Sequence, residues 1–144
     1  MIILDTNVVS ELMRPTPAPV VLAWLRQQTG PDLFTTAVTT AEIRYGIARL
    51  PDGTRRDDLA RAADEVFAAF PDQVLPFDDA AASAYARLVA QRERLGVPID
   101  GFDGQIAAIC HSHHAMLATR NIKDFHHTGI TTTDLWQDGL SRPR

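Results

Sequence analysis

The 144-residue chain carries a single cysteine, Cys110, which excludes an intramolecular disulfide framework. It has no apolar stretch approaching the roughly 20 residues that cross a bilayer. The apolar run at its start is about four residues long and lacks a basic leader, so it does not have the pattern of a signal peptide. A cytoplasmic protein with no membrane partner is expected. Positive charge is scarce too. The formal net charge of -4 argues against coating nucleic acid by bulk positive charge, while leaving room for a local basic groove. Lys123 is the sole lysine, and the other basic side chains apart from histidine are arginines, whose planar fork suits phosphate recognition. A compositional bias toward arginine explains the same numbers. Internal repeats and low-complexity segments are also missing.

At 45% hydrophobic, the chain is long enough to bury one core and too short for two comfortable domains. The opening "MIILDTNVVSEL" has Ile2, Ile3 and Leu4 in a continuous apolar run, as in a strand covered on both faces, and the run stops at Asp5. Thr6 and Asn7 are turn and helix-cap types, so a helix should follow. "PTPAPVVLAWLRQQTG" has Val20, Val21, Trp24 and Leu25 at helical spacing between entry prolines and an exit glycine. "LFTTAV", residues 33–38, reads as a second strand leading into the helix "TTAEIRYGIARL". A further helix in "TRRDDLARAADEVFAAF", closed by Pro71, precedes a weaker third strand, "QVLPF". Asp78 should cap an alanine-rich helix that ends before Gly96. The loop "VPIDGF" leads to a helix with the stripe Ile106, Ala107, Ile109 and Cys110. "MLAT" from Met116 and "GITTT" from Gly129 complete five strand candidates, and "SRPR", residues 141–144, reads as a frayed tail after a domain of residues 1–140. Strands alternating with helices predict an α/β domain with a mainly parallel sheet of about five strands flanked by helices.

In such sheets ligands collect at the carboxyl ends of the strands. Asp5 ends the first strand, Glu42 follows the second, Asp103 starts the "GQIAAI" helix, and Asp124 follows "MLAT". All four acids therefore project from one rim. If they converge, mutual repulsion raises their pKa values unless a cation offsets it, and hard oxygen ligands in that number select Mg²⁺ or Mn²⁺. Each acid also has a purely structural reading. Glu42, three residues after Thr39, fits a capping box T-x-x-E. Asp103 and Asp100 fit helix caps or dipole partners, Asp124 an Asx turn, and Asp5 a carboxylate satisfied by backbone amides.

The blocks "MIILDTNVVSEL", "TTAEIRYGI", "DGQIAAI" and "ATRNIKDF" span residues 1 to 125 in order, and together they resemble the four motif blocks of PIN-domain ribonucleases, in particular the VapC and FitB-like toxins of bacterial toxin-antitoxin pairs. By this resemblance the motif acids fall on Asp5, Glu42, Asp103 and Asp124, with Asn7 and Thr119 as supporting residues. Asp103 is preferred over Asp100 as the third acid, because the family's acid precedes the "IAA" run by three positions. The resemblance implies a single PIN-like domain and a toxin that is an endoribonuclease. It also implies an RNA substrate, a cognate antitoxin, a homodimer, and cleavage by a metal-activated water that leaves 5′-phosphate and 3′-hydroxyl ends. Asp5 and Asp103 are expected to hold the principal Mg²⁺, with Glu42 and Asp124 serving a second ion or orienting its waters.

Arg14, Arg44, Arg120 and Lys123 lie near the motif acids in sequence and are candidates for RNA phosphates, with solvated surface charge as the alternative. Tyr45 could stack a base, although its spacing suits core or interface. His111 and His114 share a helical face, but no second ligand pair accompanies them, so they read as surface, as do His126 and His127. Cys110 reads as a structural thiol. Three rival readings compete. An aspartyl-phosphate phosphatase would need D-x-D, and Asn7 stands where the second acid should be. A receiver-like Mg²⁺-binding signalling module would need paired acids after the first strand. A catalytically silent PIN fold used for RNA or protein binding would not need all four acids.

Overall fold

The computed structural model describes residues 1–141. Five short strands form one parallel sheet: β1 (Ile2–Leu4), β2 (Leu33–Thr36), β3 (Val74–Leu75), β4 (Met116–Ala118) and β5 (Thr132–Thr133). Seven helices connect and cover them: α1 (Thr6–Leu12), α2 (Pro19–Arg26), α3 (Ala37–Ala48), α4 (Thr54–Ala68), α5 (Asp79–Arg94), α6 (Gly101–Ser112) and α7 (Leu135–Ser141). The sheet order is β3-β2-β1-β4-β5. The chain winds outward from β1 on one side, then crosses back to build the other, so the switch in direction falls between β1 and β4. This order also separates the fold from receiver-like modules, which run 2-1-3-4-5.

The apolar run at the start is explained by the two layers. Ile3 packs into a core with Ala84, Leu88, Ile106, Ile109, Cys110 and Leu117 beneath α5 and α6. Leu4 faces the other way, into a core with Val8, Val21, Trp24, Ile43, Ala118 and Leu135. Successive residues of one strand therefore serve opposite cores, which requires apolar side chains at both positions. Asp78 caps α5 by accepting from the Ala81 amide at 2.9 Å, and Gly96 takes φ 76° just past its end, as its sequence position predicts. In α6, Gly104 permits a close approach, since a Cβ there would lie 3.1 Å from Tyr85 and 3.2 Å from Val89 of α5.

The elements depart from the sequence reading at several boundaries. The second strand stops at Thr36 instead of running to Val38, because the Thr36 hydroxyl accepts from the Thr39 amide at 3.0 Å and starts α3 early. Thr36 is thus the cap, and the capping box read into Thr39 and Glu42 does not form. Glu42 lies a turn further along, free to face α1. Gly101 and Phe102, assigned to a loop, are the first residues of α6, because Asp100 caps it by accepting from the Phe102 amide at 3.0 Å. The short helix α7 has no counterpart in the sequence reading. Asp134 supports its start by accepting from the Trp136 amide at 2.9 Å. Residues 142–144 of the expected tail lie outside the described residues.

Candidate active site at the carboxyl rim of the sheet

Asp5 sits where β1 ends and α1 begins, and both elements fix it. Its amide donates to the Ala118 carbonyl at 2.9 Å, extending the β1–β4 ladder by one residue. Its carboxylate caps α1, Oδ1 accepting from the Thr6 amide at 2.8 Å. The other oxygen, Oδ2, accepts from the Thr119 hydroxyl at 2.7 Å and from Asn7 Nδ2 at 3.4 Å. Asp5 is 4% exposed. Burial is the largest influence on this carboxyl and raises its pKa, with the charge of Asp124 adding to the effect. The bonds from Thr119, Thr6 and Asn7 work in the opposite direction.

Thr119 and Asn7 form a frame beside the acids, where the sequence resemblance puts them. The Thr119 hydroxyl gives its proton to Asp5 and accepts from Asn7 Nδ2 at 3.2 Å and from the Asn121 amide at 3.0 Å, which uses its full capacity. Asn7 Oδ1 in turn accepts from the Arg120 amide at 3.1 Å. Helix α1 and the loop after β4 are thereby locked together across the switch point. Sequence reasoning missed Thr6 as a site residue. It links α1 to α3, donating to Glu42 Oε1 at 2.9 Å. Its only sequence signal is its place directly after Asp5.

Asp5, Glu42 and Asp103 line one cavity of about 380 Å³ together with Thr6, Asn7, Ser10 and Asn121. Asp103 also lines an adjoining cavity of about 170 Å³ with Asp100, Asp124, Arg92, Pro98 and Ile99. Acids from four segments therefore meet along one rim, with Asp103 at the join. Asp103, one turn into α6, has its pKa raised to about 7, first by burial and then by the charges of Asp5, Asp100, Asp124 and Glu42. Glu42 is raised by burial and by Asp5 and Asp100, against a lowering bond from Thr6. Asp124 stands on the 3₁₀ turn Ile122–Phe125 and is exposed. Among the described residues, no group of three His, Cys, Asp or Glu side chains is arranged to grip one ion.

The basic candidates behave differently from the acids. Arg14 pairs with Glu11 at 2.9 Å. Arg44 pairs with Asp64 at 2.7 Å and lies 5.3 Å over the Phe67 ring, which directs it to α4. Arg120 lies 4.7 Å over Trp136, and Lys123 is exposed on the turn that carries Asp124. None of the four lines either acid cavity. Tyr45 is 66% exposed and carries Arg49 against its ring. Cys110 is fully buried, and burial, then Asp5, pushes its thiol pKa up.

The family model for the PIN domain matches residues 2–130. The chain belongs to the PIN-domain family. This PIN domain is 42% identical over 138 residues to the VapC ribonuclease Y4jK of Sinorhizobium fredii, covering 95% of this chain and 99% of that protein. It is 36% identical over 139 residues to Toxin FitB of Neisseria gonorrhoeae, covering 96% and 100%. A solved structure of FitAB bound to an IR36 DNA fragment superposes on the PIN domain with a TM-score of 0.86 at 36% identity, covering 95% of this chain and 96% of that one. Among the described residues, no helix of the domain is long and apolar enough to cross a membrane.

Proposed function

We propose that this PIN domain is a metal-dependent endoribonuclease that acts in the cytoplasm as the toxin of a toxin-antitoxin pair. The observation that carries the reading is the meeting of Asp5, Glu42, Asp103 and Asp124 at the switch point of the sheet, in cavities where burial and mutual repulsion raise three of their pKa values. The larger cavity contains no basic side chain to offset these acids. Its donors are carboxylate, hydroxyl and amide oxygens, the set that hard divalent cations take. Asp5 and Asp103 would hold Mg²⁺ or Mn²⁺, with Glu42 and Asp124 contributing to a second ion or to ordered water. A bound cation supplies charge neutralisation at the scissile phosphate and lowers the pKa of a nearby water.

The chain's own side chains account for the rest. Thr119 and Asn7 hold the Asp5 carboxylate in one orientation, so the oxygens that would hold the ion are positioned before substrate arrives. Thr6 does the same for Glu42. Lys123, on the turn beside Asp124, is placed to attract an RNA phosphate, with Arg120 nearby in the chain. A protein antitoxin and a homodimer are proposed from the likeness to Toxin FitB and the FitAB complex.

The test is cleavage of structured and unstructured RNA with Mg²⁺ by wild type, Asp5→Asn and Asp103→Asn, with and without chelator. Both variants and the chelator should abolish cutting while circular dichroism stays native. Undiminished cutting by Asp5→Asn would refute the reading. Divalent-ion binding without cutting would point to a silent PIN fold instead.

A further inference from the structure

Arg92 is a buried cation without a carboxylate partner. It lies on the stripe Ala81, Ala84, Leu88 and Arg92 along the inward face of α5, is 6% exposed, and forms no ion pair among the described residues. Backbone carbonyls of two loops take its charge. Nε donates to Val97 at 2.6 Å and Nη2 reaches Pro98 at 3.5 Å, on the segment that leads to Asp100 and α6. Nη1 donates to Asp124 at 2.9 Å and to His126 at 2.7 Å, on the turn after β4. The same guanidinium lines the smaller cavity with Asp100, Asp103 and Asp124.

Desolvating an arginine is costly unless its donors are satisfied. Only the rigid fork, with donors pointing in several directions, can meet carbonyls from both loops at once, since an ammonium is a compact point charge. The geometry points to Arg92 as a positioning residue of the acid site: it fixes the turn bearing Asp124 against the segment that launches the helix bearing Asp103. This inference rests on the proposed metal-dependent site. Every hydrogen bond of Arg92 named above runs to a backbone carbonyl. The side chain acts through the backbone, and it places a positive charge behind acids that repel one another.

The experiment uses the full chain and Mn²⁺ alone as probe. Hydrogen exchange at the Val97 and Asp124 amides, which bond to the Arg92 and Asn121 carbonyls, should speed up together in Arg92→Lys relative to wild type, because the lost side-chain tie loosens both loops. Unchanged or unrelated rates at the two amides would overturn the assignment. Calorimetric titration with Mn²⁺ in the absence of RNA should show affinity reduced about 10- to 100-fold in Arg92→Lys, the range found when groups that orient metal ligands are removed. A destabilising core variant on the opposite face, Ile47→Ala, should bind Mn²⁺ as wild type does. With RNA, Arg92→Lys should lose kcat and keep KM. Equal Mn²⁺ affinity in Arg92→Lys and wild type would reduce Arg92 to a structural staple and overturn the proposal. Wild type that binds no Mn²⁺ would instead overturn the underlying reading of the acid site.

Discussion

Replacing Asp103 with asparagine should stabilise the metal-free protein at alkaline pH. The carboxyl is neutral in the unfolded chain only below its ordinary value of 3.8, whereas burial and four neighbouring acids raise it to about 7 in the fold. Between those values the native state binds a proton that the unfolded state has released, so stability falls as pH rises through this window and levels off above it. The contribution is fully present below 3.8 and lost by about 7. That displacement bounds the penalty at about 4 kcal/mol. Solvent screening of a half-exposed, mutually coupled carboxylate brings it down to roughly 1–2 kcal/mol. The substituted amide carries no charge at any pH and escapes the penalty. Urea and thermal unfolding in the presence of a chelator should place Asp103→Asn roughly 3–7 °C above wild type at pH 8, with the difference nearly gone at pH 4.5. Added Mg²⁺ should raise the wild-type melting temperature at pH 8 and leave the variant's nearly unmoved. A variant less stable than wild type at both pH values would refute the reasoning, because the carboxylate would then be a net stabilising group rather than a strained one.

Thr119→Val keeps the shape but strips Asp5 of its 2.7 Å donor, takes from Asn7 Nδ2 one of its two acceptors and leaves the Asn121 amide without its acceptor. A loss of about 2 kcal/mol in urea unfolding is expected, together with loss of RNA cleavage, and a change under 0.5 kcal/mol would contradict the bonded frame. Cys110 should resist an aromatic disulfide reagent at pH 8 until the protein is unfolded, since its thiol is buried and its pKa is pushed up; rapid native-state labelling would contradict that burial. Gly104→Ala should cost about 1 kcal/mol by pressing on Tyr85 and Val89, whereas Gly101→Ala, with nothing within 4 Å of the new methyl, should be neutral or stabilising. Equal effects from the two would mean that α5 and α6 are not closely packed there.

The strand-and-helix order is legible because each apolar run answers to a local rule. Ile2 to Leu4 read as doubly covered, and Asp78 with Gly96 brackets α5 by cap chemistry. The end of β2 is misread because Val38, like Thr35 and Thr36, is a β-branched residue that suits a strand, and only the three-dimensional turn shows that the Thr36 hydroxyl has already captured the Thr39 amide. The T-x-x-E spacing is a coincidence of the same kind: it names a cap while Glu42 is bound to Thr6 across an interface. Spacing before the "IAA" run favours Asp103 over Asp100, but it does not show that Asp100 turns back to cap its own helix. Arg92 leaves one trace, a charge on an otherwise apolar helical stripe, but its partners are backbone carbonyls of distant loops, which no side-chain pattern records. Arg14 and Arg44 look available in the sequence only because it does not show their partners Glu11 and Asp64 closing on them.

The bond between Asp5 and Thr119 spans 114 positions of the chain. β1 is the middle strand of the sheet, and its acid is framed only once the distant β4 has been made. A growing chain holds its acids as scattered carboxylates, and the charged cluster comes into being only once the segments from Asp5 through Asp124 have all been made. Whatever this rim does, nascent fragments that stop short of Thr119 and Asp124 cannot do it.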